Sequence, residues 1–165
     1  MTPEEKGEAF RNLFLVRDFG QFLNSKRNTT DLMDAQNSYS LLFNALTDED
    51  IESLQNSNVK FGMIVAPAAQ ILLPVQNTNI NLICFEKHCL NLFDKSEVVA
   101  IILHEIGHVF NPNQVGDLNE FLADDYAVTR GYSNSIISSL QRGIELNLSG
   151  FNQDINLRRI DRLQE

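Results

Sequence analysis

Cysteine is nearly absent: the 165 residues include two, Cys84 and Cys89, too few for the disulfide framework of a small secreted domain. Both lie in an apolar stretch and are expected to be reduced core thiols. Basic residues are also short, with 13 Lys and Arg against 22 Asp and Glu and a net charge of -9. Binding to a phosphate backbone rests on clustered Lys and Arg, so no nucleic-acid partner is expected. The one basic concentration, Arg158, Arg159 and Arg162, falls in an amphipathic helical stretch and reads as a solvated face. Long apolar runs are missing too. The longest, Val98 to Leu103, has six residues, whereas a membrane-spanning helix needs about 20, so no integral membrane segment is expected. The opening Met1-Thr2-Pro3-Glu4-Glu5-Lys6 has neither the basic start nor the apolar run of a secretory signal, and a cytoplasmic location is the matching expectation. Repeats, low-complexity tracts and Gly/Ser-rich or Pro-rich linkers are lacking, which predicts one domain over residues 1–165.

What is present suffices for a core: 43% of residues are hydrophobic and 21% charged, the balance of a soluble globular domain. Thr2-x-x-Glu5, with Pro3 at the first helical position, predicts a helix to about Asn24 carrying Phe10, Leu13, Phe14, Val16, Phe19 and Leu23. Thr30 or Asp31 can cap a second helix through about Leu46, and Thr47-x-x-Asp50 opens a third. Residues 59–65 and 79–85 turn β-branched and aromatic and predict two or three short strands. Ser96 with Glu97 begins a helix through about Phe110 whose first turns are apolar on every side, so it must lie inside the molecule. Asn111-Pro112-Asn113 ends it, Asp117 caps the next helix, and Gly131 stops that one. Two more helices are predicted, at about 134–148 and 153–164. The order defines an α+β domain: helices over 1–58, strands within 59–93, then helices over 94–131 and 132–165.

His104-Glu105-Ile106-Gly107-His108 is an HExxH pattern inside a segment predicted helical on other grounds. Positions four apart share a helix face, so both imidazoles can reach one zinc ion. Glu105 projects from an adjacent part of the surface, where its carboxylate can act as general base towards water without occupying a coordination position. Zinc contributes Lewis acidity and lowers the pKa of its water, and together these roles define metal-assisted peptide-bond hydrolysis. A catalytic zinc site wants a third protein ligand. Glu120, twelve residues beyond His108, follows a segment with Pro112 and Gly116 that can reverse the chain. Asp124 is one turn further along the same face and can accept a hydrogen bond from a ligand histidine, fixing its tautomer. Asp125 points about 100° away and reads as solvated or as part of a surface pair.

His104-Glu105-x-x-His108 followed by Glu120-x-x-Ala123-Asp124-x-x-Ala127 resembles the gluzincin metallopeptidases and their single-domain minigluzincin relatives, over residues 97–131. Arg159-Ile160-x-x-Leu163 is similar to the closing RIxxL segment of that family. The resemblance implies a zincin-like fold with the sheet packed on the HExxH helix, Zn2+ as cofactor, Glu120 as third ligand and Asp124 as its support. It also implies a polypeptide substrate held by an edge strand, for which Asn79 to Glu86 is the expected provider. The chain departs from the family where many members carry a His-Pro pair before the closing segment: here stand Gln153, Asp154 and Ile155.

Other readings remain open at this point. Asp117-x-x-Glu120 has capping-box spacing, so Glu120 could complete a helix terminus. Tyr126, Tyr132 and Arg130 are candidates for stabilising an oxyanion, with nothing to select among them. Gly107 fits a close approach of another element to the histidine helix. A non-catalytic protein that keeps a zinc site, a latent enzyme with Cys84 or a terminal segment blocking the metal, and an ImmA-like regulatory peptidase all share the HExxH pattern.

Overall fold

A computed structural model of the chain describes residues 1–13, 38–64, 81–148 and 152–165. They fall into two compact units, Met1–Leu92 and Phe93–Glu165. Among the described residues the chain is helix-rich with one two-stranded sheet, an α+β composition. No described helix is long and apolar enough to cross a membrane.

In the first unit, α1 (Pro3–Arg11) starts on a reciprocal cap: Glu5 N–H donates to Thr2 Oγ1 at 3.2 Å and Thr2 N–H to Glu5 Oε2 at 2.7 Å. The helix stops at Arg11, short of the expected Asn24. The Leu13 carbonyl accepts instead from Phe61 N–H at 3.0 Å, which takes it out of the helical ladder; the expected continuation through Phe14, Val16, Phe19 and Leu23 lies outside the described residues. So do Thr30 and Asp31, the expected caps of α2 (Ser38–Ala45). The Thr47–Asp50 box does open α3 (Asp48–Asn56), with Asp50 N–H to Thr47 Oγ1 at 3.1 Å and Thr47 N–H to Asp50 Oδ2 at 2.8 Å.

The two strands, β1 (Val59–Ile64) and β2 (Asn81–Glu86), run parallel with Phe61 opposite Ile83. Alternation puts Val59, Phe61, Ile83 and Phe85 on one face, and all four are buried. The Phe61 ring lies 4.9 Å from that of Phe10 and 6.2 Å from that of Phe85, which ties α1 to the sheet. β2 forms most of the segment expected to hold substrate; residues 79 and 80 lie outside the described residues. A short α4 (Lys87–Leu90) follows, and Cys84 and Cys89 are both half-buried.

The second unit consists of α5 (Lys95–Phe110), α6 (Asp117–Val128), α7 (Ser133–Glu145) and α8 (Gln153–Gln164). α5 starts one residue before the expected Ser96 and is capped by Asp94: Ser96 N–H and Glu97 N–H both donate to Asp94 Oδ1 at 3.0 Å, and Asp94 N–H donates back to Glu97 Oε2 at 2.9 Å. Glu97 is 1% exposed. Its carboxylate also receives the Ser138 hydroxyl and Arg142 Nε and Nη2, at 2.9 and 3.2 Å for the arginine, so the first turn of α5 is pinned to α7. Beyond it Val98, Val99, Ala100, Ile102, Leu103 and Ile106 are buried, as a helix apolar all round requires.

α6 begins after Gly116, whose φ of 63° is left-handed, and it has no side-chain cap. Asp117 does not fill that role as expected, because its carboxylate is taken by Arg158 Nε and Nη2 of α8 at 2.7 and 3.1 Å. Gly131, at φ 86°, turns the chain out of α6 while Tyr132 N–H closes on the Ala127 carbonyl at 3.1 Å. Of the three arginines of α8, Arg158 and Arg162 keep solvent-exposed surface as expected, whereas Arg159 does not. Arg158 pairs with Asp117, Arg159 with Asp124 and Arg162 with Asp125, because α6 presents an acid opposite each, and Arg159 is buried.

Candidate metal centre

His104 and His108 stand four residues apart on the inward face of α5, and their Nε2 atoms approach to 3.0 Å. Glu120, in the first turn of α6, brings Oε2 to 3.4 Å from His104 Nε2 and Oε1 to 3.6 Å from His108 Nε2. These three groups form a cluster that could hold a metal ion, with ligand atoms within 4.8 Å of one another. The capping-box alternative for Glu120 fails, since Asp117 is turned to Arg158 and Glu120 N–H is left with the Gly116 carbonyl at 3.5 Å.

Close packing of α6 on α5 makes the cluster possible. Gly107 lies between the two histidines, and a Cβ built on it would stand 2.7 Å from Ala123 Cα, 2.8 Å from Ala123 O and 3.0 Å from Tyr126 Cβ. Ala123 and Ala127 are fully buried at this crossing. One turn of α6 beyond Glu120, Asp124 is 0% exposed and its Oδ1 lies 2.8 Å from His104 Nδ1. An ionised carboxylate can only accept, so Nδ1 carries the hydrogen and the Nε2 of a neutral His104 ring presents a lone pair to the cluster.

Arg159 is the residue that the sequence reading left out of the site. It is 7% exposed, and its Nε and Nη2 reach Asp124 Oδ2 and Oδ1 at 2.9 and 2.7 Å. Its Nη1 also lies 3.2 Å from Glu120 Oε2. Glu105 sits beside this cluster on α5, half-buried, and its carboxylate accepts no hydrogen bond from any described residue. Asp125 pairs with Arg162 at 2.6 Å on the surface. Of the oxyanion candidates, Arg130 lies 3.4 Å above the Tyr126 ring and donates to the Tyr126 carbonyl at 2.9 Å; burial pushes the Tyr132 phenol up.

The titrating groups respond to one another. Burial pulls the His104 imidazole down, but the hydrogen bonds to Asp124 and Glu120 outweigh it and hold the ring above its ordinary value. The hydrogen bond from His104 holds Glu120 below the usual carboxylate range against the opposing effect of burial. Burial would raise Asp124, and the bonds from Arg159 and His104 reverse that. The carboxylates around His104 therefore favour positive charge at that ring.

The donor set fits a divalent metal ion, zinc among them: two borderline imidazole nitrogens and one hard carboxylate oxygen are all ligand types that zinc takes. Bonds of about 2.0–2.1 Å in a tetrahedron put ligand atoms roughly 3.3–3.4 Å apart, close to the 3.0, 3.4 and 3.6 Å found here. His108 and Glu120 keep 24% and 27% of their side-chain surface, so the cluster is partly exposed. Comparison with protein-family models, curated proteins and solved structures finds no match to this chain.

Proposed function

We propose that the chain is a zinc-dependent endopeptidase of the gluzincin type. The observation that carries the reading is the convergence of His104, His108 and Glu120 on one point, with Glu105 next to the first histidine and unpaired among the described residues. A closed structural zinc site takes four protein ligands, whereas a catalytic one takes three and keeps a position open. Three ligand side chains, two of them partly exposed, match the second kind.

In this reading His104, His108 and Glu120 hold the ion, and Asp124 keeps the His104 lone pair turned towards it. Zinc held there supplies Lewis acidity that polarises a peptide carbonyl and acidifies water. The Glu105 carboxylate takes the proton of the attacking water and returns it to the leaving amine nitrogen, so one residue serves both proton steps. The substrate class is polypeptide. The similarity of HExxH and ExxAD to the gluzincin motifs supports the same assignment.

The test uses the purified full chain. One equivalent of zinc and hydrolysis of an unstructured protein such as casein are expected, and Glu105→Gln should keep the metal while losing roughly 10²–10⁴-fold in rate. A wild-type protein that is fully loaded with zinc and cleaves no peptide would overturn the enzyme assignment in favour of a zinc-stabilised binding or structural protein.

A further inference from the structure

We infer that Arg159 is a positioning residue of the metal centre, locking Asp124 and Glu120 in the orientations that present His104 Nε2 and the Glu120 carboxylate to a single ion. This rests on the metal-site part of the proposed function and not on the hydrolytic part.

The guanidinium is planar and rigid, and every edge of it is engaged. Nε and Nη2 grip the two oxygens of Asp124 side by side at 2.9 and 2.7 Å, a bidentate geometry that fixes the plane of the carboxylate as well as its position. Nη1 is held by Asn156 Oδ1 at 3.2 Å and stands 3.2 Å from Glu120 Oε2. Nη2 also approaches His104 Nδ1 to 3.1 Å. Both of these are donors, and they converge on one shared acceptor, Asp124 Oδ1. A single side chain thus touches one ligand residue through Asp124 and another directly. Asn156 and Arg159 are themselves buried on α8, so the fork cannot swing away without breaking its own packing.

A purely structural reason is weaker. A fixed positive charge beside a cation site repels the ion it helps to bind, and an apolar side chain of similar volume would pack α8 on α6 without that repulsion. Orientation is what the guanidinium supplies and an apolar group cannot. A lysine would offer one compact ammonium in place of a two-pronged fork, so it can neutralise Asp124 but cannot fix its plane.

The experiment measures zinc affinity of the full chain by competition with a chromophoric chelator, together with the imidazole nitrogen spectrum of the zinc-free protein at alkaline pH, where the ring is neutral and the spectrum reports the His104 tautomer. Arg159→Gln and Arg159→Lys are both expected to weaken zinc binding by roughly 10–100-fold, the range for partners of ligand residues, and to replace a single Nδ1–H tautomer of His104 by a mixture. Arg162→Gln breaks a surface pair on the same helix and should change affinity by less than about threefold. Zinc binding by Arg159→Gln at wild-type strength overturns the inference, as does an equal loss in Arg162→Gln, which would mean that α8 docking in general is responsible. If Arg159→Gln does not fold, Asn156→Ala, which frees Nη1 only, decides: weaker binding supports the role and unchanged binding overturns it. Wild type that binds no zinc overturns this inference and the site reading together. A protein that binds zinc but cleaves nothing removes the peptidase reading alone, since no readout here is activity.

Discussion

Gly107 and Ala123 meet where no side chain fits between them: a methyl group on Gly107 would lie 2.7 Å from Ala123 Cα and 2.8 Å from the Ala123 carbonyl oxygen. Both obstacles are backbone or next to it, so relief requires α6 to move as a unit. Glu120 and Asp124 ride on that helix on either side of Ala123. Gly107→Ala should therefore cost about 1–3 kcal/mol in urea unfolding, the range for overpacking. It should also weaken zinc binding by roughly tenfold or more, because the supports of the ligand set shift together. An alanine variant with unchanged zinc affinity would mean that the crossing does not set the position of Glu120.

Glu120 can be tested apart from its neighbours. Glu120→Ala removes a ligand, where changes at ligand partners cost about 10–100-fold in metal affinity; the expected loss is larger than that, read by the same chelator competition. Glu120→Gln keeps an oxygen but not the charge and should fall between wild type and Glu120→Ala. If Glu120→Ala binds zinc like wild type, the third ligand is another group.

The parts of this site that were legible in the sequence are those that one helix encodes by itself. A spacing of four put His104 and His108 on one face, and the same spacing put Asp124 on the face of Glu120. The meeting of the two helices was signalled by the chain reversal at Pro112 and Gly116 and by Gly107 at the close approach. Arg159 was hidden because an arginine between Arg158 and Arg162 has the same local pattern whether it faces water or a carboxylate. Its partner Asp124 is 35 positions away. Asp117 misled in a related way: its capping-box spacing is genuine, but Arg158, 41 positions on, takes the carboxylate. The early end of α1 has the same origin, since the Leu13 carbonyl bonds to Phe61 on a strand 48 residues later.

Glu97 joins the start of the histidine helix to α7, and its pairing with Arg142 should be measurable. Glu97 is 1% exposed while the Arg142 side chain keeps 40% of its surface, so the pair is neither fully buried nor screened like a surface contact. Glu97→Gln should cost about 1–3 kcal/mol, as expected for weakening a buried, multiply bonded carboxylate. Arg142→Met should cost less, because Ser138 and the Asp94 backbone still serve the carboxylate. A double-mutant cycle by urea unfolding should give a coupling of roughly 1 kcal/mol or more; a value near zero would mean that the pair does not hold the helices together.

The cap at the other side of that junction gives a pH signature. The Glu97 backbone N–H, opposed by burial and helped by the Ser96 hydroxyl and backbone N–H and the charge of Arg142, holds Asp94 below its ordinary carboxylate value. A carboxyl group with a lower pKa in the folded than in the unfolded chain stabilises the fold fully above the unfolded value, near 3.9, and loses that contribution as pH falls through the folded value. Asp94→Ala should therefore cost roughly 1 kcal/mol at pH 7, as for other N-caps, and the gap to wild type should narrow on titration below about pH 4. Asp94→Asn caps without ionising, so it should lose little at pH 7 and keep that stability into acid. Urea midpoints for the three proteins at neutral and acid pH make the comparison. A deficit in Asp94→Ala that stays constant down to the acid limit would show that the charge on Asp94 contributes nothing to the start of α5.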